Sequence, residues 1–146
     1  MARVRTPAEL TEAFRARGRK ITPQRQCIFR ILHGNGAHPS AEVVYAAAAA
    51  EMPSISLRTV YQTLNDLASM GELTALELGT GAVRFDPNRT EHHHLVCERC
   101  GAVRDVYLVG VDALQHTASL DGFQPTRTEV VLRGLCANCS RVTAEV

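Results

Sequence analysis

The sequence predicts an α+β protein in which a helical, basic front half is followed by a smaller unit of mixed helix and strand. Two observations support this prediction. Four segments with helical spacing, each ended by glycine or proline, fill residues 6–71, and a short hairpin signal follows them. Beyond a polar segment at 87–91, apolar strand-like runs surround one helical segment. A chain of 146 residues is long enough for one larger domain or two small ones.

The first two predicted helices lie within the basic stretch. Residues 6–17 have helical spacing and end at Gly18. Thr22 and Pro23 are typical of an N-cap and a first helical residue, so a second helix is expected to continue to about residue 34. Its apolar residues share one face, and they are Cys27, Ile28, Ile31 and Leu32.

Serine caps predict the next two helices. Ser40 is expected to cap a third helix over 41–52, whose alanine run favours helix, and Pro53 stops it. Ser56 is expected to cap a fourth helix over 57–70. The apolar positions of that helix are spaced i, i+4 and i+7, and they are Val60, Leu64 and Leu67.

A hairpin completes the first domain. Strands are predicted at 72–78 and 82–86, joined by the turn signal Gly79-Thr80-Gly81. Helices followed by a short hairpin fit a winged helix-turn-helix, whose last helix enters the major groove of DNA. Residues 1–30 carry eight arginine and lysine residues against two glutamates, although the net charge of the whole chain is only +1. A basic stretch of this kind also fits an ordinary solvated surface.

The second domain is predicted to be a small α/β unit. Strands are expected at 93–97, 102–109 and 128–136, with a helix at 112–120. Its edge strands offer pairing across a dimer axis. We therefore divide the chain into a DNA-binding domain at 1–85, a hinge at 86–92 and a dimerisation domain at 93–146.

Four of the five cysteines form two CxxC pairs, Cys97-x2-Cys100 and Cys136-x2-Cys139. Two such pairs supply the four soft ligands that Zn²⁺ takes in closed tetrahedral sites. A disulfide switch, an iron–sulfur cluster or a thiol redox enzyme is the alternative. No βαβ pattern of the thioredoxin kind frames either pair, which argues against the enzyme. The N-terminus has no apolar signal segment and no run of membrane-spanning length occurs, so a reducing cytoplasm is expected.

A histidine run precedes the first CxxC pair. In an extended strand alternate side chains face the same way, so His92 and His94 can share one ion while His93 faces away. Asp86 and Asp105 lie nearby in sequence. A set of imidazoles and carboxylates is harder than a set of four thiolates and favours Fe²⁺ or Mn²⁺. Spacing alone does not connect His38 with these residues.

Together these blocks resemble the Fur family of metalloregulators. The matching segments span nearly the whole chain, and they are ITPQR (21–25), AHPSAEVVY (37–45), SLRTVYQTLNDLASMGEL (56–73), FD (85–86), EHHHLVCERCG (91–101) and GLCANC (134–139). The resemblance implies an N-terminal winged helix, a C-terminal dimerisation domain, a zinc site of four cysteines and a regulatory metal near the hinge.

Within that family the chain is most similar to the peroxide-sensing PerR branch. The resemblance implies that Fe²⁺ or Mn²⁺ is held by three histidines and two aspartates, namely His38, Asp86, His92, His94 and Asp105. Iron-sensing members usually carry glutamate where Asp86 stands, and zinc-sensing members tend to place a cysteine in the hinge. His93 departs from the branch, which often has an aromatic residue there.

The function expected from these features is that of a homodimeric, metal-dependent repressor of transcription, not an enzyme, that binds a palindromic DNA operator and senses hydrogen peroxide. An iron-responsive repressor without peroxide chemistry is the alternative. Base contacts are expected from the front of the fourth helix, through Arg58, Thr59, Tyr61 and Gln62. Phosphate contacts are expected from Arg19, Lys20 and Arg25.

Overall fold

The computed structural model describes residues 4–144 of the chain, with the side chains of residues 4–141. It forms two compact units, of which the first ends at Thr90 and the second begins at Glu91. The outermost residues of the two predicted domains, 1–3 and 145–146, lie outside the described part. Across the described residues no helix is long and apolar enough to cross a membrane.

The first unit contains four helices and a two-stranded wing. The helices are α1 (Pro7–Ala16), α2 (Pro23–Leu32), α3 (Ala41–Glu51) and α4 (Leu57–Ser69). The strands β1 (Thr74–Leu76) and β2 (Arg84–Asp86) pair antiparallel, and both are shorter than predicted. At the start of each of these helices a side-chain hydroxyl accepts a hydrogen bond from a backbone N–H of the first turn. These hydroxyls belong to Thr6, Thr22, Ser40 and Ser56. The caps predicted at Thr22, Ser40 and Ser56 are confirmed. Each hydroxyl accepts from an amide group of the first turn that has no partner within the helix.

The core of the first unit lies where its four helices meet. Phe14 and Phe29 are both fully buried, with their ring centroids 5.0 Å apart in an edge-on arrangement. Cys27, Ile28 and Leu32 are buried as predicted. Ile31, which we predicted on the same face, is only partly buried and packs against this core, whereas Phe29, which was outside the predicted set, is fully buried.

The second unit is built on a three-stranded sheet. Its strands are β3 (His93–Cys97), β4 (Val103–Val106) and β5 (Val131–Gly134), in the order β4-β3-β5. The central strand β3 pairs antiparallel with β4 and parallel with β5. A final helix, α5 (Ala137–Ala144), follows the second CxxC pair's first cysteine and was not predicted.

The predicted helix at 112–120 is wrong in type and length. The chain forms a single 3₁₀-helix at Val111–His116 instead. Its N-cap, Gly110, has a left-handed backbone with φ of 82° and provides no side-chain cap, and none of its residues is buried. A short segment without a cap or a buried face lacks the interactions that stabilise an α-helix. The flanking strands are also shorter than the predicted 102–109 and 128–136.

Candidate metal sites and nucleic-acid interface

The parallel pairing of β3 and β5 brings the two CxxC pairs together. In this register Cys97 lies opposite Gly134, so both strands end at the same edge of the sheet. Cys100 lies in the turn after β3 and Cys136 follows β5. Cys139 lies in the first turn of α5. The pairing therefore gathers four sulfurs from two distant segments of sequence.

The spacing of the four sulfurs matches a tetrahedral ion. All four lie within 4.8 Å of one another, and Sγ of Cys100 is 3.9 Å from Sγ of Cys136. Thiolates placed about 2.3 Å from a zinc ion at tetrahedral corners lie about 3.8 Å apart. The backbone N–H of Cys136 donates to Sγ of Cys97 over 3.3 Å, which orients the second pair towards the first. The donor set fits the zinc site that the sequence predicts.

The thiols of this group differ strongly in acidity. Hydrogen bonds from the backbone of Cys100 and Cys136 lower the pKa of Cys97 to about 6, whereas the hydrogen bond with the Cys136 side chain raises the pKa of Cys139 to about 12. At neutral pH the Cys97 sulfur is therefore charged while the Cys139 sulfur keeps its proton. A divalent cation stabilises thiolates and displaces such protons when it binds.

The second unit also gathers imidazoles around a carboxylate. His92 and His94 flank the first residue of β3, and their ring centroids lie 4.7 Å apart. Nε2 of His92 is 3.2 Å from Oδ1 of Asp105, and Nε2 of His94 is 3.6 Å from the same oxygen. Asp105 is placed there by the β3–β4 register, which sets it opposite His94.

His93 has a different role in the sheet. Its Nδ1 accepts the backbone N–H of Val130 over 3.1 Å, and the side chain is buried. This bond joins the start of β3 to the segment before β5. On the other face, Oε1 of Glu129 lies 3.8 Å from Nδ1 of His94. Sequence spacing gave no signal for Glu129, because only the non-local pairing of β5 with β3 brings it near the histidines.

The first unit contains its own pair of metal-type donors. Nε2 of His38 lies 3.5 Å from Oδ2 of Asp86, and both side chains are almost completely buried. His38 lies just before α3 and Asp86 ends β2. Burial of a charged group is costly, and a buried imidazole beside a carboxylate is tolerated when the two are paired with each other or bind a cation.

The predicted base-contacting residues lie on the first two turns of α4. Arg58 and Gln62 are exposed, and the Thr59 hydroxyl is hydrogen-bonded to the Ser56 hydroxyl over 2.9 Å at the cap. Tyr61 donates its hydroxyl to a carboxylate oxygen of Glu42 over 2.5 Å. This hydrogen bond fixes the ring of Tyr61 against the start of α3.

The predicted phosphate contacts are mostly paired within the protein. Arg19 lies 2.8 Å from Asp66, and Arg25 lies 3.9 Å from the other oxygen of the same carboxylate. Arg25 also donates to the carbonyl oxygen of Lys20 and stacks 5.3 Å from the ring centroid of Phe14. Lys20 itself is exposed. Arg19, in the segment between α1 and α2, and Arg25 of α2 are therefore both bound to α4 through Asp66.

The chain is similar in sequence and in structure to proteins that are already known. Residues 16–133 match the Ferric uptake regulator family. The chain is 33% identical over 132 residues to the peroxide-responsive repressor PerR of Staphylococcus epidermidis, which covers 90% of this chain and 88% of that protein. It is also 33% identical over 134 residues to the peroxide operon regulator of Bacillus subtilis, covering 91% and 92%. The solved structure of the Helicobacter pylori ferric uptake regulator Fur aligns with a TM-score of 0.80 at 21% identity, covering 96% and 97%.

A winged-helix unit combined with a second unit that gathers metal-type donors defines a metal-dependent regulator of transcription. The chain belongs to the Ferric uptake regulator family. The predicted fold class and family are thereby confirmed. Members of this family are regulators and not enzymes, so the thiol redox enzyme considered for the CxxC pairs is set aside.

Proposed function

We propose that the protein is a homodimeric, cytoplasmic repressor that releases its DNA operator when hydrogen peroxide oxidises a histidine ligand of its regulatory metal. The observation that carries this proposal is the donor set. Three imidazoles and two aspartates, rather than thiolates, suit Fe²⁺ or Mn²⁺. They occur in a chain whose relatives include one named as a peroxide-responsive repressor and one named as a peroxide operon regulator.

In this proposal the protein binds two metals, a structural zinc ion and a regulatory iron or manganese ion. Zn²⁺ is held by the four cysteines and stabilises the second unit. Fe²⁺ or Mn²⁺ is shared by His38 and Asp86 of the first unit with His92, His94 and Asp105 of the second. Support comes from the spacing within each unit, where donor atoms lie 3.2 to 3.6 Å apart. An ion bound by both units stabilises one arrangement of the chain and shifts the population towards it.

Oxidation then removes a ligand. Bound ferrous ion would promote cleavage of the O–O bond of hydrogen peroxide. In the net reaction the imidazole of His38 or His92 would lose two electrons to the peroxide, and a ring C–H would become C–OH. The other peroxide oxygen would leave as water with the displaced hydrogen. The oxidised ring is a poorer donor, so the metal-stabilised arrangement is lost and affinity for DNA falls.

DNA recognition in this proposal uses the first unit. Arg58, Tyr61 and Gln62 on α4 reach base edges in the major groove, while Lys20 and, in part, Arg19 and Arg25 contact phosphates. Two copies of α4 bind the two halves of a palindrome, for which the protein must be a dimer.

Exposed apolar side chains in the second unit support dimerisation. Among its described residues Val109 is fully exposed, Phe123 is 72% exposed and Tyr107 is 57% exposed. Leu114 and Leu132 are also well exposed. In this proposal these exposed apolar side chains contribute to the surface that binds the partner chain.

DNA binding with Fe²⁺ or Mn²⁺, with and without peroxide, tests the proposal. Both ions are expected to support operator binding, and peroxide should abolish it for the iron form only. Mass spectrometry should then find one added oxygen atom on the peptide containing His38 or His92. An iron form that gains no oxygen on histidine and keeps its DNA affinity after peroxide would contradict the proposal.

Replacing Asp86 with glutamate separates this function from iron sensing alone. D86E is expected to retain metal-dependent DNA binding while histidine oxidation falls, because the longer side chain alters the donor geometry around the ion. The matched control is Asp112→Glu, which makes the same change in the 3₁₀-helix. If D86E responds to peroxide like the unaltered chain, Asp86 is no reason to prefer a peroxide sensor over an iron sensor.

A further inference from the structure

The backbone of His38 adopts a conformation that is uncommon for residues other than glycine. Its φ is 52°, in the left-handed region, and its side chain is 1% exposed. Only one other non-glycine residue of the described chain, Asp121, has a positive φ. A residue with a side chain persists in this conformation only where its surroundings hold it there.

Strand β2 supplies those surroundings. Nε of Arg84 donates to the carbonyl oxygen of His38, and Nη2 of Arg84 donates to the carbonyl oxygen of Ala37 over 3.1 Å. The backbone N–H of Phe85 donates to the carbonyl oxygen of Pro39 over 2.9 Å. The carbonyl groups of His38 and of the residues before and after it are thus all bound by two consecutive residues of β2.

The same strand also carries the second donor of this unit. Arg84 and Asp86 are two residues apart, and an isolated antiparallel bridge pairs Arg84 with Ser40. Oδ2 of Asp86 lies 3.5 Å from Nε2 of His38. The segment that carries the histidine is therefore bound directly to the strand that carries the aspartate.

From this geometry we infer that Arg84 is a positioning residue for the regulatory metal site. It does not bind the ion. Its planar guanidinium holds two adjacent carbonyl groups at once and so fixes the His38 backbone beside Asp86. A lysine has one ammonium group in place of the planar guanidinium, so it cannot donate to both carbonyl groups with the same fixed geometry. The inference depends on the proposed function, because it assigns Arg84 to the site that His38 and Asp86 would contribute to.

The test compares Mn²⁺ affinity in the zinc-loaded, full-length variants R84A and R84K with the unaltered chain. Residues that orient metal ligands typically contribute roughly 10- to 100-fold in metal affinity. R84A is expected to lose affinity within that range. R84K is expected to lose less, but more than about twofold, because lysine cannot hold both carbonyl groups at once. Hydrogen exchange of the Mn²⁺-free protein should be faster at residues 37–41 in R84A, while its zinc content stays at that of the unaltered chain.

The matched control is R30A, which removes an arginine of the same unit whose Nη2 lies 3.1 Å from Glu51. R30A is expected to leave Mn²⁺ affinity and exchange at 37–41 unchanged. If R84A and R84K bind Mn²⁺ within twofold of the unaltered chain, Arg84 does not position the site. If R84A fails to fold, R84K alone decides between these outcomes.

A further variant, H38A, distinguishes failure of this inference from failure of the proposed function. If the unaltered chain binds no Mn²⁺, or H38A binds it equally well, the regulatory site itself is wrong. If H38A loses Mn²⁺ binding while both Arg84 variants keep it, only the positioning inference is overturned.

Discussion

The two units of this chain are stabilised in different ways. The first unit buries a large set of apolar side chains from all four helices, including Phe14, Phe29 and Leu64, none of which is exposed to solvent. In the second unit the buried apolar side chains of the described residues are Val96, Cys97 and Val103. One of these three is itself a metal-type ligand.

This difference indicates how each unit stays folded. Burial of apolar surface stabilises the first unit. A small unit with few buried residues needs another source of stability, such as a metal or a partner chain. The four cysteines and the exposed apolar surface of the second unit offer both.

Removal of the zinc ligands should have the largest effect. Structural zinc contributes about 10–16 kcal/mol of apparent binding free energy in small domains. This exceeds the free energy of unfolding expected for a unit of this size, which is roughly 0.05–0.15 kcal/mol per residue. In C100S we expect zinc loss together with loss of amide exchange protection in β3, β4 and β5, while α1 to α4 stay protected. The measurement is hydrogen exchange by mass spectrometry with zinc content in parallel.

The matched control for that prediction is C27S, which makes the same change outside the CxxC pairs. Cys27 is buried in the first unit and donates to Glu51 over 3.4 Å. C27S should keep its full zinc content. Persistent protection of the sheet in zinc-free C100S would mean that the second unit does not depend on the metal.

A cavity in the first unit should have the next largest effect. F29A removes a fully buried ring from the edge-on contact with Phe14, and such truncations cost about 3–5 kcal/mol. Urea unfolding followed by circular dichroism should locate this loss in the helices, with zinc content unchanged. V43A, at a site that is 58% exposed, should change stability by less than about 0.5 kcal/mol. Zinc release from folded F29A would contradict the separate stabilisation of the two units.

The smallest predicted effect concerns proton affinity at the front of α4. The hydrogen bond to Glu42 raises the pKa of Tyr61 and lowers that of Glu42. The phenol therefore keeps its proton to higher pH while the carboxylate stays charged. E42Q should lower the Tyr61 pKa towards its ordinary value of 10.0, as followed by NMR titration of the ring carbons.

The control for this titration is E51Q, at the other end of α3. Glu51 is paired with Arg30, so its replacement should leave Tyr61 unchanged. An unchanged Tyr61 pKa in E42Q would mean that this hydrogen bond does not persist in solution, and that the ring of Tyr61 is free to reorient on DNA.

Local signals predicted the fold of the first unit better than that of the second. Thr22, Ser40 and Ser56 each mark a helix start by the chemistry of their own side chains, which needs no distant partner. The helix α5 was missed because its first turn contains Cys139, which the CxxC spacing assigned to a metal site. The parallel pairing of β5 with β3 depends on contacts far apart in sequence, and no local pattern encodes it.

The candidate sites divide in the same way. The CxxC pairs and the His92–His94 alternation are local and could be identified from spacing. His38 joined the second set only through family resemblance, because β2 holds it by hydrogen bonds between segments distant in sequence. Arg19 and Arg25 were assigned to DNA by charge alone, and the carboxylate of Asp66 that pairs with both could not be located from the sequence.

The central strand β3 begins beside His92 and ends at Cys97. Extended chain advances about 3.3 Å per residue and alternates its faces, so one inserted residue would reverse the side on which every later residue lies. Either His92 and His94 would then point away from Asp105, or Cys97 would point away from the other three cysteines. We therefore expect homologues of this chain to vary in length between β4 and β5, where exposed segments absorb insertions, and to keep the residue count of β3 constant.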